Sequence, residues 1–183
     1  MSSSLFSRAT KAQAKARIAF SGPSGAGKTY WALQMATALV ADNGGKIAVI
    51  DTERSSASLY ADKFEFDTLS MSPPYHPDRL VEVLRVAKDE GYSVIIIDSL
   101  THFWNGKGGV LEIVEDAKGR VGGNQFQAWA VGTPIYQAML DALLAFDGHI
   151  IVTMRAKTEY AMEKNERGKT EIRKVGMAPI MRD

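Results

Sequence analysis

Residues 22–29 read Gly-Pro-Ser-Gly-Ala-Gly-Lys-Thr, the pattern G-x-x-x-x-G-K-[ST]. The segment before it, from Arg17 to Ser21, reads as a short strand, and the segment after it, from Thr29 to Ala41, is apolar nearly all round and reads as a helix buried on several sides. A strand, a glycine-rich turn and a helix in that order place successive backbone N–H groups around one hollow, with the positive end of a helix beneath it. Such a hollow suits a phosphate chain. Gly22, Pro23, Ser24, Gly25, Ala26, Gly27, Lys28, Thr29 and Tyr30 are therefore the candidate nucleotide-binding residues. Lys28 is placed to meet the β- and γ-phosphates as a point charge, and the Thr29 hydroxyl to ligate Mg²⁺. ATP and Mg²⁺ are the expected cofactors.

The rest of the chain alternates. Lys46 to Asp51, Ser93 to Asp98 and His149 to Met154 are predicted strands. The Val94-Ile-Ile-Ile97 run is typical of a strand covered on both faces. Pro77 to Glu90 is a predicted amphipathic helix with Leu80, Val83, Leu84 and Ala87 on one side. Val110 to Lys118 is a shorter helix, and Thr133-Pro134 reads as the start of another that ends near Phe146. Lys157 to Val175 reads as a hairpin turning near Asn165 to Gly168. The expected fold is α/β, a three-layer P-loop NTPase architecture with a mostly parallel central sheet and a C-terminal hairpin. Residues 1–16 read as a flexible basic arm and residues 17–183 as one domain. A sheet of this kind often takes one strand more, so the domain reads as a core that a longer sheet would complete.

In such sheets, ligands bind beyond the carboxyl ends of the strands. Asp98 ends the most apolar strand and is the expected second holder of Mg²⁺, acting through water. Ser99 follows it where an acid would otherwise supply a hydrolytic base, so that base must come from elsewhere. Glu53, just past the second strand, is the candidate, with Asp51 better suited to a structural hydrogen bond. Lys28, Asp98 and Glu53 are the expected catalytic set. The absence of cysteine excludes disulfides and thiolate metal sites. No apolar run reaches the length of about 18 residues that a membrane span needs, so no membrane partner is expected, and residues 1–17 lack the apolar stretch of a signal peptide, so a cytoplasmic location is expected. Net charge is only +1, yet Arg8, Lys11, Lys15 and Arg17 gather at the N-terminus with no acid among them. Basic ends of this kind can meet phosphate backbones. His102 and His149 have no metal-ligand company and read as structural.

The phosphate loop, the segment Val49-Ile-Asp-Thr-Glu53, the strand end Val94-Ile-Ile-Ile-Asp98-Ser99, the stretch Asp98-Ser-Leu-Thr-His-Phe-Trp104 and the final Val175-Gly-Met-Ala-Pro-Ile-Met-Arg-Asp183 together resemble the ATPase core of RecA-type recombinases. More narrowly they resemble the short RecA-like ATP-binding proteins of tailed phages and prophages, over about residues 17–183. The resemblance implies that Glu53 activates the attacking water. It implies that Tyr60 packs on adenine, although a core Tyr on a short helix reads equally well. It places Arg155 where the family carries a γ-phosphate-sensing residue, usually Gln, and leaves that switch open. Lys174 and Arg182 become candidate charges acting on a neighbour's ATP. Single-stranded DNA is an implied partner, through residues 105–132, with Lys107, Lys118, Arg120, Phe126 and Trp129, and through residues 156–175. A homo-oligomer with ATP near its interfaces and DNA-dependent ATP hydrolysis in recombination, annealing or repair follow. A small-molecule or nucleotide kinase and a nucleotide-dependent assembly module are the alternatives.

Overall fold

The computed structural model describes residues 8, 14–42, 44–164 and 170–181. Its elements are β1 (Arg17–Gly22), α1 (Lys28–Val40), β2 (Lys46–Asp51), a 3₁₀ turn (Ser56–Tyr60), β3 (Asp67–Ser70), α2 (Pro77–Asp89), β4 (Tyr92–Asp98), α3 (Thr101–Asn105), α4 (Val110–Arg120), α5 (Gln125–Ala145), β5 (His149–Lys164) and β6 (Thr170–Pro179). The strands run in the order β1-β5-β4-β2-β3, with β6 paired to β5. Every pairing among the first five is parallel, and β6 alone is antiparallel.

The apolar run of β4 fixes the layers. Val94, Ile95, Ile96 and Ile97 are all fully buried. Successive side chains alternate across the sheet. Val94 and Ile96 join Ala32, Leu33, Ala36 and Val40 of α1 on one face. Ile95 and Ile97 join Leu80 and Leu84 of α2 and Met139 and Leu143 of α5 on the other. Burying one such aliphatic side chain stabilises the fold by about 1.5–3 kcal/mol. The α/β/α expectation holds, and the parallel strands bring the ends of β1, β2, β4 and β5 to one edge.

Several local expectations are corrected. The helix after the phosphate loop buries one face only, and Trp31 and Met35 on its other side are exposed. The last long helix begins at Gln125 rather than Thr133. Asn124 caps it by accepting from the Gln127 N–H at 3.2 Å, and Pro134 lies in the helix interior. Gly132 permits this longer helix, because a Cβ there would stand 2.3 Å from the Val114 Cγ2 of α4. Residues 105–132, the stretch matched by resemblance to a DNA-binding loop, hold the expected helix near Val110 to Lys118 as α4 and also the start of α5, and so are largely a helical hairpin. Within it Trp129 stacks on Trp104, ring centroids 6.0 Å apart, while Phe126 is 86% exposed. β3 was not legible in the sequence. Its four residues are all exposed, and it forms by backbone pairing onto β2 rather than by apolar pattern.

The hairpin is present as a ribbon of β5 and β6, paired from Ala156↔Pro179 to Lys164↔Thr170. Its expected turn at Asn165 to Gly168 lies outside the described residues, as do Arg182 and the side chain of Lys174. At the other end of the domain, Arg17 is committed to the fold. Its guanidinium donates to the carbonyls of Leu144 at 2.9 Å, Phe146 at 2.5 Å and Gly148 at 2.6 Å, closing the C-terminus of α5. His149 is structural in the same corner, accepting at Nδ1 from the Ala16 N–H at 3.0 Å.

Candidate nucleotide-binding site

β1 ends at Gly22, and the chain turns through Gly25 (φ 78°) and Gly27 (φ 76°) before α1 begins. Both angles lie in the left-handed region, where a side chain would be strained. The turn is closed by the Ala26 N–H to the Pro23 carbonyl at 3.3 Å. Gly27 is the N-cap of α1, no side chain accepts from the helix start, and the first turn holds no acid. The orphan N–H groups of a 13-residue helix are therefore left for an external acceptor. The Lys28 ammonium folds back over the loop onto the Pro23 carbonyl at 2.9 Å. This cradle fits a phosphate chain.

A cavity of about 380 Å³ opens above the loop. Ser24, Gly25, Gly27, Lys28 and Thr29 of the loop and α1 line it together with Glu53, Asp98 and Arg155 from the strand ends and Ser56, Leu59 and Tyr60 of the 3₁₀ turn. Of the expected residues, Gly22, Pro23, Ala26 and Tyr30 do not line it. Tyr30 packs edge-on against Tyr60 at 5.9 Å and Phe64 at 5.4 Å, and so supports the Tyr60 part of the lining. Ser56 and Leu59 had no sequence signal beyond their closeness to Tyr60.

The Thr29 hydroxyl donates to Asp98 Oδ2 at 2.5 Å, and the buried Thr153 hydroxyl donates to Asp98 Oδ1. β5 runs between β1 and β4, which is what brings Thr153 and Arg155 to this site. Burial pushes the Asp98 carboxyl up; the two threonine hydrogen bonds oppose that, and the charges of Asp51 and Glu53 add to it. A buried carboxylate facing other carboxylates is electrostatically suited to a nearby cation. Among the described residues, no three acids or histidines cluster to cage a metal alone. Thr29 and Asp98 therefore fit Mg²⁺ held mainly by water and phosphate oxygens, as that ion prefers.

Asp51 is spent on structure. Its Oδ1 accepts the N–H groups of Glu53 at 2.7 Å and Ser55 at 3.2 Å, and its Oδ2 that of Ala57 at 2.9 Å. These bonds shape the turn that presents Glu53. Thr52 ties the ends of β2 and β4 together, accepting from the Ser99 N–H at 2.8 Å, and its hydroxyl meets His102 Nδ1 at 2.7 Å. His102 is thereby drawn into the site, its Nε2 3.9 Å from Glu53 Oε1. Burial holds the His102 ring below its ordinary pKa.

Glu53 is not free. Arg155 Nε donates to its Oε1 at 2.9 Å, and the Arg155 terminal nitrogen to its Oε2. Burial alone would raise the Glu53 carboxyl. The Arg155 hydrogen bonds and charge, followed by His102 and Lys28, outweigh it and hold the group below the usual carboxylate range.

With that geometry in place, the comparisons with known proteins are decisive on family. A family model described as an AAA domain matches residues 14–183. The chain belongs to the AAA domain family. Nucleotide binding and hydrolysis are the general function of such a domain. A comparison with curated proteins found no match. No helix of this AAA domain, among the described residues, is long and apolar enough to cross a membrane.

Proposed function

We propose that this AAA domain binds Mg-ATP in the cavity between the phosphate loop and Arg155 and hydrolyses it, with the RecA-like assignment of residue roles. The observation that carries the reading is convergence. The open N-terminus of α1, the Thr29–Asp98 contact and the Glu53 carboxylate all face one cavity of nucleotide scale. Mg²⁺ supplies charge neutralisation at the phosphates when bound. The loop N–H groups and Lys28 orient the phosphates, Thr29 and Asp98 hold the ion's shell, and Tyr60 flanks the base. Glu53 takes the proton of a water aimed at the γ-phosphate.

Coupling to single-stranded DNA and assembly as a homo-oligomer with ATP near its interfaces extend this reading, supported by the RecA-type sequence resemblance. The exposed Phe126 near the start of α5 is an aromatic available for base stacking, and Lys118 and Arg120 lie in the last turn of α4. Turnover of ATP to free phosphate, measured with and without single-stranded DNA over a salt series, tests both parts. Lys28→Ala is expected to abolish binding. Retained ATP affinity in that variant would sink the assignment, and salt-insensitive, unstimulated turnover would remove DNA from it. Transfer of phosphate to an added acceptor instead of water would favour the kinase alternative.

A further inference from the structure

Arg155 stands at a junction. It is the last β5 residue paired with β1, opposite Gly22 of the phosphate loop, and it directly precedes the β5–β6 ribbon that starts at Ala156↔Pro179. Its backbone is pinned on both sides, the N–H by the Thr101 hydroxyl at 2.9 Å and the carbonyl by the Ile180 N–H at 2.8 Å. The side chain is 45% exposed and lines the cavity with Glu53. Rotation of the guanidinium is thus open while displacement of the strand is not. Glu53 is pinned in the same way, by its N–H on Asp51.

The fork-to-fork contact occupies both Glu53 oxygens. A carboxylate held this way is a poor proton acceptor. A terminal phosphate offers the guanidinium the same planar pair of anionic oxygens with more charge. The Glu53 carboxylate and a terminal phosphate therefore compete for one fork.

We propose that Arg155 is an exchange switch. It clasps Glu53 while no terminal phosphate is present, and it transfers to the terminal phosphate of a bound triphosphate, so that Glu53 is released only when there is a γ-phosphate to attack. The proposal rests on the nucleotide reading above. It gives the site a reason to distinguish triphosphate from diphosphate, because a diphosphate leaves the Glu53 clasp closed.

The test is calorimetric binding of ADP and of a non-hydrolysable ATP analogue, each with Mg²⁺, to the full chain and four variants. Glu53→Gln removes the competitor and is expected to tighten analogue binding about tenfold, the scale of one charge-assisted hydrogen bond, with ADP affinity unchanged. Arg155→Ala is expected to weaken the analogue about tenfold and again spare ADP. Arg155→Lys, which keeps the charge without the fork, is expected to fall between and guards against a folding defect in the alanine variant. In the Glu53→Gln/Arg155→Ala double variant, most of the Glu53→Gln gain should vanish. A gain that persists in full there would show simple charge repulsion and overturn the switch. Equal losses for ADP and analogue in Arg155→Ala would overturn it as well. If the wild type binds neither nucleotide, the underlying reading fails along with it; if it binds both and the variants leave their ratio unchanged, the switch alone fails.

Discussion

The Thr29 hydroxyl donates to Asp98 Oδ2 across 2.5 Å, joining the first turn of α1 to the carboxyl end of β4, 69 residues away in the chain. The contact couples the phosphate cradle to a carboxylate that burial holds above its ordinary pKa. Folding without a cation works against that charge.

Asp98→Asn should therefore leave the nucleotide-free protein as stable as the wild type or more so, while removing the Mg²⁺ dependence of nucleotide affinity. The sign follows from linkage. A carboxyl whose folded pKa is raised binds its proton first in the folded state, so its share of stability rises as pH falls through that pKa toward the ordinary carboxylate value. Thermal melts without nucleotide, and titrations with and without Mg²⁺, check the two halves.

Glu53 has the opposite sign. Its folded pKa is depressed, so the stability it contributes is full above the ordinary carboxylate range and is lost as pH falls through the lowered value. Arg155 is partly solvated, which limits the pair to about 1 kcal/mol. The difference in unfolding free energy between wild type and Glu53→Gln should hold from neutral pH down to the ordinary carboxylate range and close below it. A difference that stays flat to lower pH would show that the pair does not form in solution.

Asp51→Ala should destabilise the fold by about 2–3 kcal/mol, because three backbone N–H groups lose their acceptor together. The turn carrying Glu53 loses its shape with them, so nucleotide turnover should fall further than stability does. Urea unfolding and turnover on the same preparation separate the effects. Asp51→Asn, which keeps one acceptor, should lie between.

Arg17→Ala should cost about 1–2 kcal/mol through the uncapped C-terminus of α5, with little effect on nucleotide affinity. Denaturation midpoints and nucleotide binding read this directly. A loss of DNA affinity with unchanged stability would instead return Arg17 to the basic N-terminal cluster that meets phosphate backbones.

The phosphate loop, the covered strand β4, the amphipathic α2 and the alternation of strand and helix were all legible in the sequence. Each is written in local terms, as glycines where φ is positive, an apolar run, or a repeat of three to four residues. Asp51, Glu53, Asp98 and Arg155 could be placed at one edge because parallel strands share their carboxyl ends. What the sequence did not contain was who holds whom. Arg155 and Glu53 are 102 residues apart, and only the insertion of β5 between β1 and β4 brings them together. The start of α5 was misplaced because Thr133-Pro134 is a valid helix opening locally, and it is the Asn124 cap and the close approach at Gly132 that carry the helix through it. Local pattern determines which backbone shapes are cheap; contacts across the sheet determine which side chains are left free to act, and those form only when the chain has closed.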